Sequence, residues 1–259
     1  MDLNGGIAMV TGGASGLGEA VCRRLAASGA RVVVVDLNEE MGEQVASSVG
    51  GRFVRADVSS EVDVIAAVEA ARSEGPLRAL VTAAGISVGI RTIGRDGTFA
   101  TAHPLSQYER VLRVNLIGTF NCIRLAATAM STNDPVDEDG QRGAIVTVAS
   151  LAAFDGQIGQ AAYSSSKGGI VGMTLPVARD LSVVGIRLNC VAPGLFDTPI
   201  YGEGPEAEAF KERLRRDVLF PRRLGRSPEL AALIHELLTN DYLNAEVIRA
   251  DAGARLQPK

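Results

Sequence analysis

Four valines run without interruption from Val32 to Val35, held between Arg31 and Asp36. An unbroken β-branched run carries no polar alternation, so a strand built from it needs apolar cover on both faces. That requirement points to a parallel sheet sandwiched between helices. The rest of the chain repeats the theme. Short apolar runs at 7–11, 52–56, 78–82, 144–149, 186–191 and 246–250 alternate with helical patterns at 16–28, 39–48, 61–73 and 106–130, and in the segment after 160. The alternation predicts an α/β fold: one doubly wound parallel sheet with helices on both faces, a single domain over 1–259. A length of 259 residues is ordinary for one such unit. Pro176 falls inside the helical pattern after 160 and is expected to bend it or weaken one turn.

Two connections break the regular spacing. One covers 87–104 and the other 194–228, the latter with a helix expected at 206–218. Both leave the carboxyl ends of strands, where open α/β sheets bind ligands, and both are read as substrate loops. The second holds a basic cluster: Lys211, Arg213, Arg215, Arg216, Arg222, Arg223 and Arg226. It reads as a solvated helix face partnered by Glu206, Glu208 and Glu212, or as an attractor for substrate phosphates, with Arg91 and Arg95 of the first loop sharing that role.

The first strand runs into Thr11-Gly12-Gly13-Ala14-Ser15-Gly16-Leu17-Gly18 and then a helix. Glycines allow a tight turn and close backbone approach, and a helix N-terminus offers N–H groups to a pyrophosphate. Gly12, Ser15, Gly16, Leu17 and Gly18 are therefore cofactor-site candidates in a Rossmann-like unit. Asp36 ends the second strand, eighteen residues after Gly18. A carboxylate there accepts hydrogen bonds from ribose hydroxyls and repels a 2′-phosphate. Neither Ser15 nor Leu37 supplies a cation for that phosphate, so the expected cofactor is NAD. Asp57 and Val58 follow the third strand and are candidates for adenine contact.

Tyr163 and Lys167 stand four residues apart, on one face of a helix. A nearby cation favours the phenolate and draws a tyrosine pKa down toward working pH. Such a phenol can move a proton at a carbonyl or alcohol carbon. Ser150 precedes Tyr163 by thirteen residues. Taken singly, Ser150 fits a strand-end turn and Lys167 a solvated helix face; with the glycine turn present, the joint pattern reads as chemistry.

Other classes are disfavoured. A net charge of −4 argues against nucleic acid as a partner. No stretch of about 18 apolar residues spans a membrane, and no signal segment is visible. Cys22, Cys122 and Cys190 are scattered and read as reduced core thiols in a cytoplasmic protein. His103 and His235 are isolated, so no metal site is expected.

Together, Thr11 to Gly18, Asp36, Asp57, Ala84-Gly85, Asn115, Ser150, Tyr163, Lys167 and Pro193-Gly194 resemble the short-chain dehydrogenase/reductase family over nearly the whole chain. The stretches GQAAYSSSKGGIVGMTLPVARD, APGLFDT and NAEVIRADAGARLQP, with the 87–104 insertion, resemble the subgroup of type 2 3-hydroxyacyl-CoA dehydrogenases, also described as hydroxysteroid or 3-hydroxy-2-methylbutyryl-CoA dehydrogenases. One departure is Thr82, standing where the family's Asn-x-Ala-Gly has asparagine; a side-chain hydrogen bond of different reach is expected from it. The resemblance implies Tyr163 as general acid/base, Lys167 lowering its pKa and holding the nicotinamide ribose, Ser150 as donor to the substrate oxygen, and Asn115 positioning a relay water. It implies cofactor contacts at Ala83, Ala84, Gly85, Pro193, Gly194, Phe196 and Thr198. Gln157 and Gln160 are candidate substrate contacts or a surface turn. The implied activity is NAD-dependent interconversion of a 3-hydroxyacyl-CoA and its 3-oxoacyl-CoA, within fatty acid metabolism. Oxidation of a hydroxysteroid or another secondary alcohol, or a dinucleotide-binding partner protein without turnover, remain open. A homotetramer built through the 106–130 and Tyr163 helices is the family expectation.

Overall fold

The valine run forms the second strand of a seven-stranded parallel sheet. The computed structural model describes residues 1–199, 202 and 204–258. Residues 200, 201 and 203 of the 194–228 connection, and residue 259 of the expected domain, lie outside the described residues. In chain order the sheet strands are β1 (Ile7–Thr11), β2 (Arg31–Asp36), β3 (Arg52–Arg55), β4 (Leu77–Thr82), β5 (Gly143–Val148) and β6 (Ile186–Pro193). A two-stranded ribbon, β7 (Phe196–Asp197) with β8 (Gly225–Arg226), follows, and β9 (Val247–Ala250) completes the sheet. The spatial order is β3-β2-β1-β4-β5-β6-β9. In register, Val10 faces Val34 on one side and Val81 on the other.

Successive valines point to opposite faces, and each face has its own cover. Val32 and Val34 join the layer formed with α1 (Gly16–Ala27) and residues such as Leu230 and Leu237. Val33 and Val35 join the other, with α3 (Glu61–Glu74) and residues such as Cys122 and Ile123. This two-sided burial is why four β-branched residues stand in a row. The helix α2 (Glu39–Ser48) packs beside β3, with Asn38 capping it by accepting from Met41 N at 3.1 Å.

The structure departs from expectation in the helices. The expected 106–130 helix is α4 (Leu105–Leu112) and α5 (Gly118–Ser131), joined through a π-helical turn at Arg113–Ile117. The helix α6 (Ala161–Ser182) continues through Pro176, which has no N–H to give to the turn before it. The expected 206–218 helix is α7 (Pro205–Arg215), and α8 (Ser227–Thr239) was not anticipated. Pro228 enters the first turn of α8, and Glu229 reaches back to accept from Arg226 N at 2.8 Å, which starts the helix cleanly. At its other end Arg187, buried, donates to the carbonyls of Leu237, Leu238 and Leu243 at 2.9, 2.7 and 2.8 Å. These bonds satisfy carbonyls that a helix end leaves open.

Candidate active site

The site begins where β1 stops. Gly12 has φ +69, and a Cβ on it would lie 2.6 Å from Ala84 N. A Cβ on Gly18 would lie 2.0 Å from Gly12 O. Only hydrogen fits at either position, so the turn folds flat against β4 and draws α1 tight onto the sheet. Ser15 caps α1 in an extended conformation and makes no side-chain capping bond. The N–H groups of the first turn are thus left available to an anion. Asp36 pins this turn: its Oδ2 accepts from Ala14 N and its Oδ1 from Asn38 N, both at 3.1 Å.

Every cofactor-site position expected from the sequence lines one cavity of about 590 Å³, as do Ser150, Tyr163 and Lys167. The cavity runs along the carboxyl ends of the strands, from Asp36 and Asp57 to Phe196 and Thr198. Asp57 also stabilises its own loop, with Oδ1 accepting from Ser59 N at 2.8 Å. The sequence reading missed Arg110, Val114 and Ser87 on the same wall. Arg110 comes from α4 and Val114 from the π turn, and no local motif marks either.

The candidate catalytic residues sit at the sheet's centre. Ser150 follows β5 and caps the short turn Leu151–Ala153, its Oγ accepting from Ala152 N at 3.1 Å. The turn reading and the catalytic reading of Ser150 are therefore compatible, because the same hydroxyl hydrogen-bonds the side chain of Tyr163. Lys167 is 4 % exposed; its Nζ donates to Val148 O at 2.8 Å and lies 5.8 Å from the Tyr163 ring centroid. Burial lowers the Lys167 pKa to about 8. Burial also pushes the Tyr163 pKa up, and Ser150 supplies the opposing, lowering interaction. The expectation that Lys167 draws this phenol down is not met in the free protein, because the ammonium is turned to the Val148 carbonyl and is itself desolvated.

The structure also places Asn115, the two glutamines and Thr82. Asn115 is fully buried and is not on the cavity wall. Its Oδ1 accepts from Ile86 N at 2.8 Å, and its Nδ2 donates to Ile86 O at 2.9 Å and Ser166 Oγ at 3.0 Å. Both ends of the amide are thus engaged by protein groups, and the side chain braces the strand exit. It still borders the site from behind: a Cβ on Gly85 would lie 3.3 Å from Asn115 Oδ1 and 3.6 Å from Lys167 Nζ. Gln157 and Gln160 line a separate cavity of about 450 Å³ with Arg91 and Ser164. Gln160 Oε1 accepts from Gln157 N at 3.0 Å, and Gln157 Nε2 donates to Gln257 O at 2.9 Å, so the pair ties a turn to the C-terminal tail. The Thr82 hydroxyl is buried and finds no hydrogen-bond partner. Its strand neighbours at that level are Thr11 and Thr147, and its side chain is too short to reach beyond them.

The basic cluster divides. Lys211 pairs with Asp197 at 2.9 Å and Glu208 at 3.1 Å, and Arg213 stacks on Phe210 at 5.4 Å. These two belong to the partnered helix face. Arg91 lines the smaller cavity and does not join the others. The three cysteines are buried free thiols. Among the described residues, no group of three His, Cys, Asp or Glu is arranged to hold a metal, and no helix is long and apolar enough to cross a membrane.

Comparison with known proteins agrees with this geometry. A family model described as short chain dehydrogenase matches residues 6–209. The chain is 49% identical over 259 residues to 3-hydroxyacyl-CoA dehydrogenase type-2 of Bos taurus, covering 99% of this chain and 97% of the relative. It is 48% identical over 255 residues to 3-hydroxyacyl-CoA dehydrogenase type-2 of Drosophila melanogaster, covering 97% and 98%. The crystal structure of 3-hydroxyacyl-CoA dehydrogenase type-2 from Mycobacterium avium superposes with a TM-score of 0.92 at 43% identity, covering 98% of both chains.

Proposed function

The chain belongs to the short-chain dehydrogenase family, and from that premise we propose that it interconverts 3-hydroxyacyl-CoA and 3-oxoacyl-CoA thioesters with NAD as hydride carrier. The observation that carries the reading is one cavity joining the glycine turn and Asp36 to Ser150, Tyr163 and Lys167. A nicotinamide dinucleotide suits its donor set: flat glycines and free helix N–H groups for the pyrophosphate, and a carboxylate for a ribose. Asp36 and the absence of a cation at Ser15 and Leu37 favour NAD over its 2′-phosphorylated form.

The nicotinamide supplies the hydride chemistry that no side chain offers. Ser150 Oγ donates a hydrogen bond to the substrate oxygen and stabilises the charge that grows there. Tyr163 Oη takes the alcohol proton during oxidation and returns it during reduction. Burial holds the Tyr163 pKa above its ordinary value, and the Ser150 hydrogen bond opposes that shift. Lys167, desolvated beside it, holds its ammonium ready for the nicotinamide ribose. Asn115 acts through Ile86 and Ser166, fixing the chain that flanks Lys167.

Free buried thiols support a cytoplasmic protein, and the proposed thioester substrate supports a role in fatty acid metabolism. A homotetramer is favoured by exposed apolar side chains on α5 and α6, namely Phe120 and Leu175, with Ile117 just before α5. The deciding assay follows NADH formation with 3-hydroxybutyryl-CoA, 3-hydroxy-2-methylbutyryl-CoA and a hydroxysteroid, with NADP run in parallel and Tyr163→Phe as control. Thioester turnover that prefers NAD and drops by about 10³-fold or more in the variant is expected. Steroid turnover without thioester turnover would replace the substrate assignment. NAD binding with no turnover of any alcohol would reduce the protein to a dinucleotide-binding module.

A further inference from the structure

A cavity of about 940 Å³ lies beside the Phe196–Thr198 end of the site, and six arginines line it: Arg215, Arg216, Arg222, Arg223, Arg226 and Arg255. They converge from different parts of the chain. Arg215 ends α7, Arg226 ends β8, and Arg255 belongs to the C-terminal tail. The tail is fastened across the loop, because Leu219 N and Phe220 N both donate to Ala252 O, at 3.2 and 3.3 Å. Bringing so many guanidinium groups together is unfavourable unless anions balance them.

Three of the six are balanced within the protein. Arg215 pairs with Glu212 at 2.7 Å, Arg223 with Glu229, and Arg255 with Asp251 at 3.4 Å. Of the lining carboxylates, Asp197 is taken by Lys211 and Asp217 remains. Arg216, Arg222 and Arg226 are exposed and make no ion pair among the described residues, and Arg226 is held by its backbone at the start of α8. Val218 and Leu219 add apolar surface to the same wall. Uncommitted guanidinium forks beside an apolar patch suit a nucleotide carrying several phosphates, since arginine binds phosphate through two parallel hydrogen bonds.

The two cavities share a wall at β7. Phe196 and Thr198 face the dinucleotide cavity, and Asp197 between them faces the arginines. We propose that this basin is the subsite for the 3′-phosphorylated ADP group of the coenzyme A thioester, with Arg216 and Arg222 as its main phosphate ligands. The inference rests on the thioester reading above. It places the phosphate-bearing end of the substrate and its reacting carbon on opposite sides of one short ribbon.

The test uses the whole protein and the double variant Arg216→Gln/Arg222→Gln. Both positions are exposed and unpaired among the described residues, so the variant should keep its melting temperature and NAD affinity. The first measurement is the ratio of kcat/KM for 3-hydroxybutyryl-CoA to that for 3-hydroxybutyryl-N-acetylcysteamine, which lacks the nucleotide. The ratio should fall about tenfold or more in the variant, through KM. A ratio within about twofold of wild type overturns the assignment. The second measurement is calorimetric binding of adenosine 3′,5′-bisphosphate to protein saturated with NAD, with pyrophosphate as comparison. The nucleotide should bind wild type and weaken about tenfold or more in the variant. Equal binding in both proteins, or pyrophosphate binding as tightly as the nucleotide, also overturns it. If neither thioester is a substrate, the functional reading fails on its own, and the calorimetry still decides the basin.

Discussion

Lys167 gives up part of its basicity to be buried where it is, and this leaves a mark on stability. Its pKa is 10.5 in the unfolded chain and about 8 in the fold. Between those values the unfolded chain binds more protons, so stability rises with pH. The thiols of Cys22 and Cys122 oppose this from 9 upward, because burial lifts both to about 12 and the fold then holds the extra protons. The Lys167→Met variant keeps these thiols, so comparison with it isolates the Lys167 contribution from about pH 8 to 9. Urea denaturation of the free protein should show wild type gaining roughly 1 kcal/mol over Lys167→Met across that unit. Parallel stability curves for the two proteins would mean that Lys167 is not desolvated. At this scale the sequence was most legible where chemistry demands a fixed spacing. Tyr163, Lys167 and Ser150 stand together because the residue types and intervals leave few alternatives. Gln157 and Gln160 stay open between substrate contact and surface turn in the sequence for the opposite reason: a glutamine near a candidate catalytic tyrosine looks the same in either role.

The π turn at Arg113–Ile117 is the element on which the site leans hardest. One extra residue in the helical path rotates Asn115 inward, where its amide clamps both polar groups of Ile86. The clamp sets the chain leaving β4 against the Lys167 helix. Replacing Asn115 with Ala strips partners from a backbone N–H and a carbonyl. The expected cost is about 2–4 kcal/mol in urea denaturation, with activity falling along with it. A cost under about 1 kcal/mol would show that Ile86 finds other partners. Nothing in the local sequence announces a π turn, since the apolar pattern of 106–130 reads as one helix. The helix α8 was overlooked for a different reason. Its Ser-Pro-Glu start is a sound capping signal, but it follows directly on a long irregular stretch and was absorbed into it.

For the whole molecule, the sheet order was readable in outline because parallel strands covered on both faces must alternate with helices. The arginine basin was not, since Arg255 lies far in sequence from Arg216 and only the folded tail brings them together. The proposed assembly is testable on the same scale. Light scattering of the wild-type protein should give the mass of four chains, and Phe120→Glu, on an exposed face of α5, should give a smaller species. A monomer in the wild type would remove the tetramer from the account.

The strand order has a consequence for how the molecule is made. The first four strands, once synthesised, already form the contiguous block β3-β2-β1-β4, and β5, β6 and β9 are then added to one edge in the order in which they leave the ribosome. No later strand has to be inserted between two earlier ones. Growth is one-directional, like a wall extended brick by brick from a finished end. The half that lines the glycine turn and Asp36 can thus take shape while Tyr163 and Lys167 are still untranslated, and the nascent chain carries one growing edge at a time, opposite the fixed β3 edge, for its neighbours or a chaperone to meet.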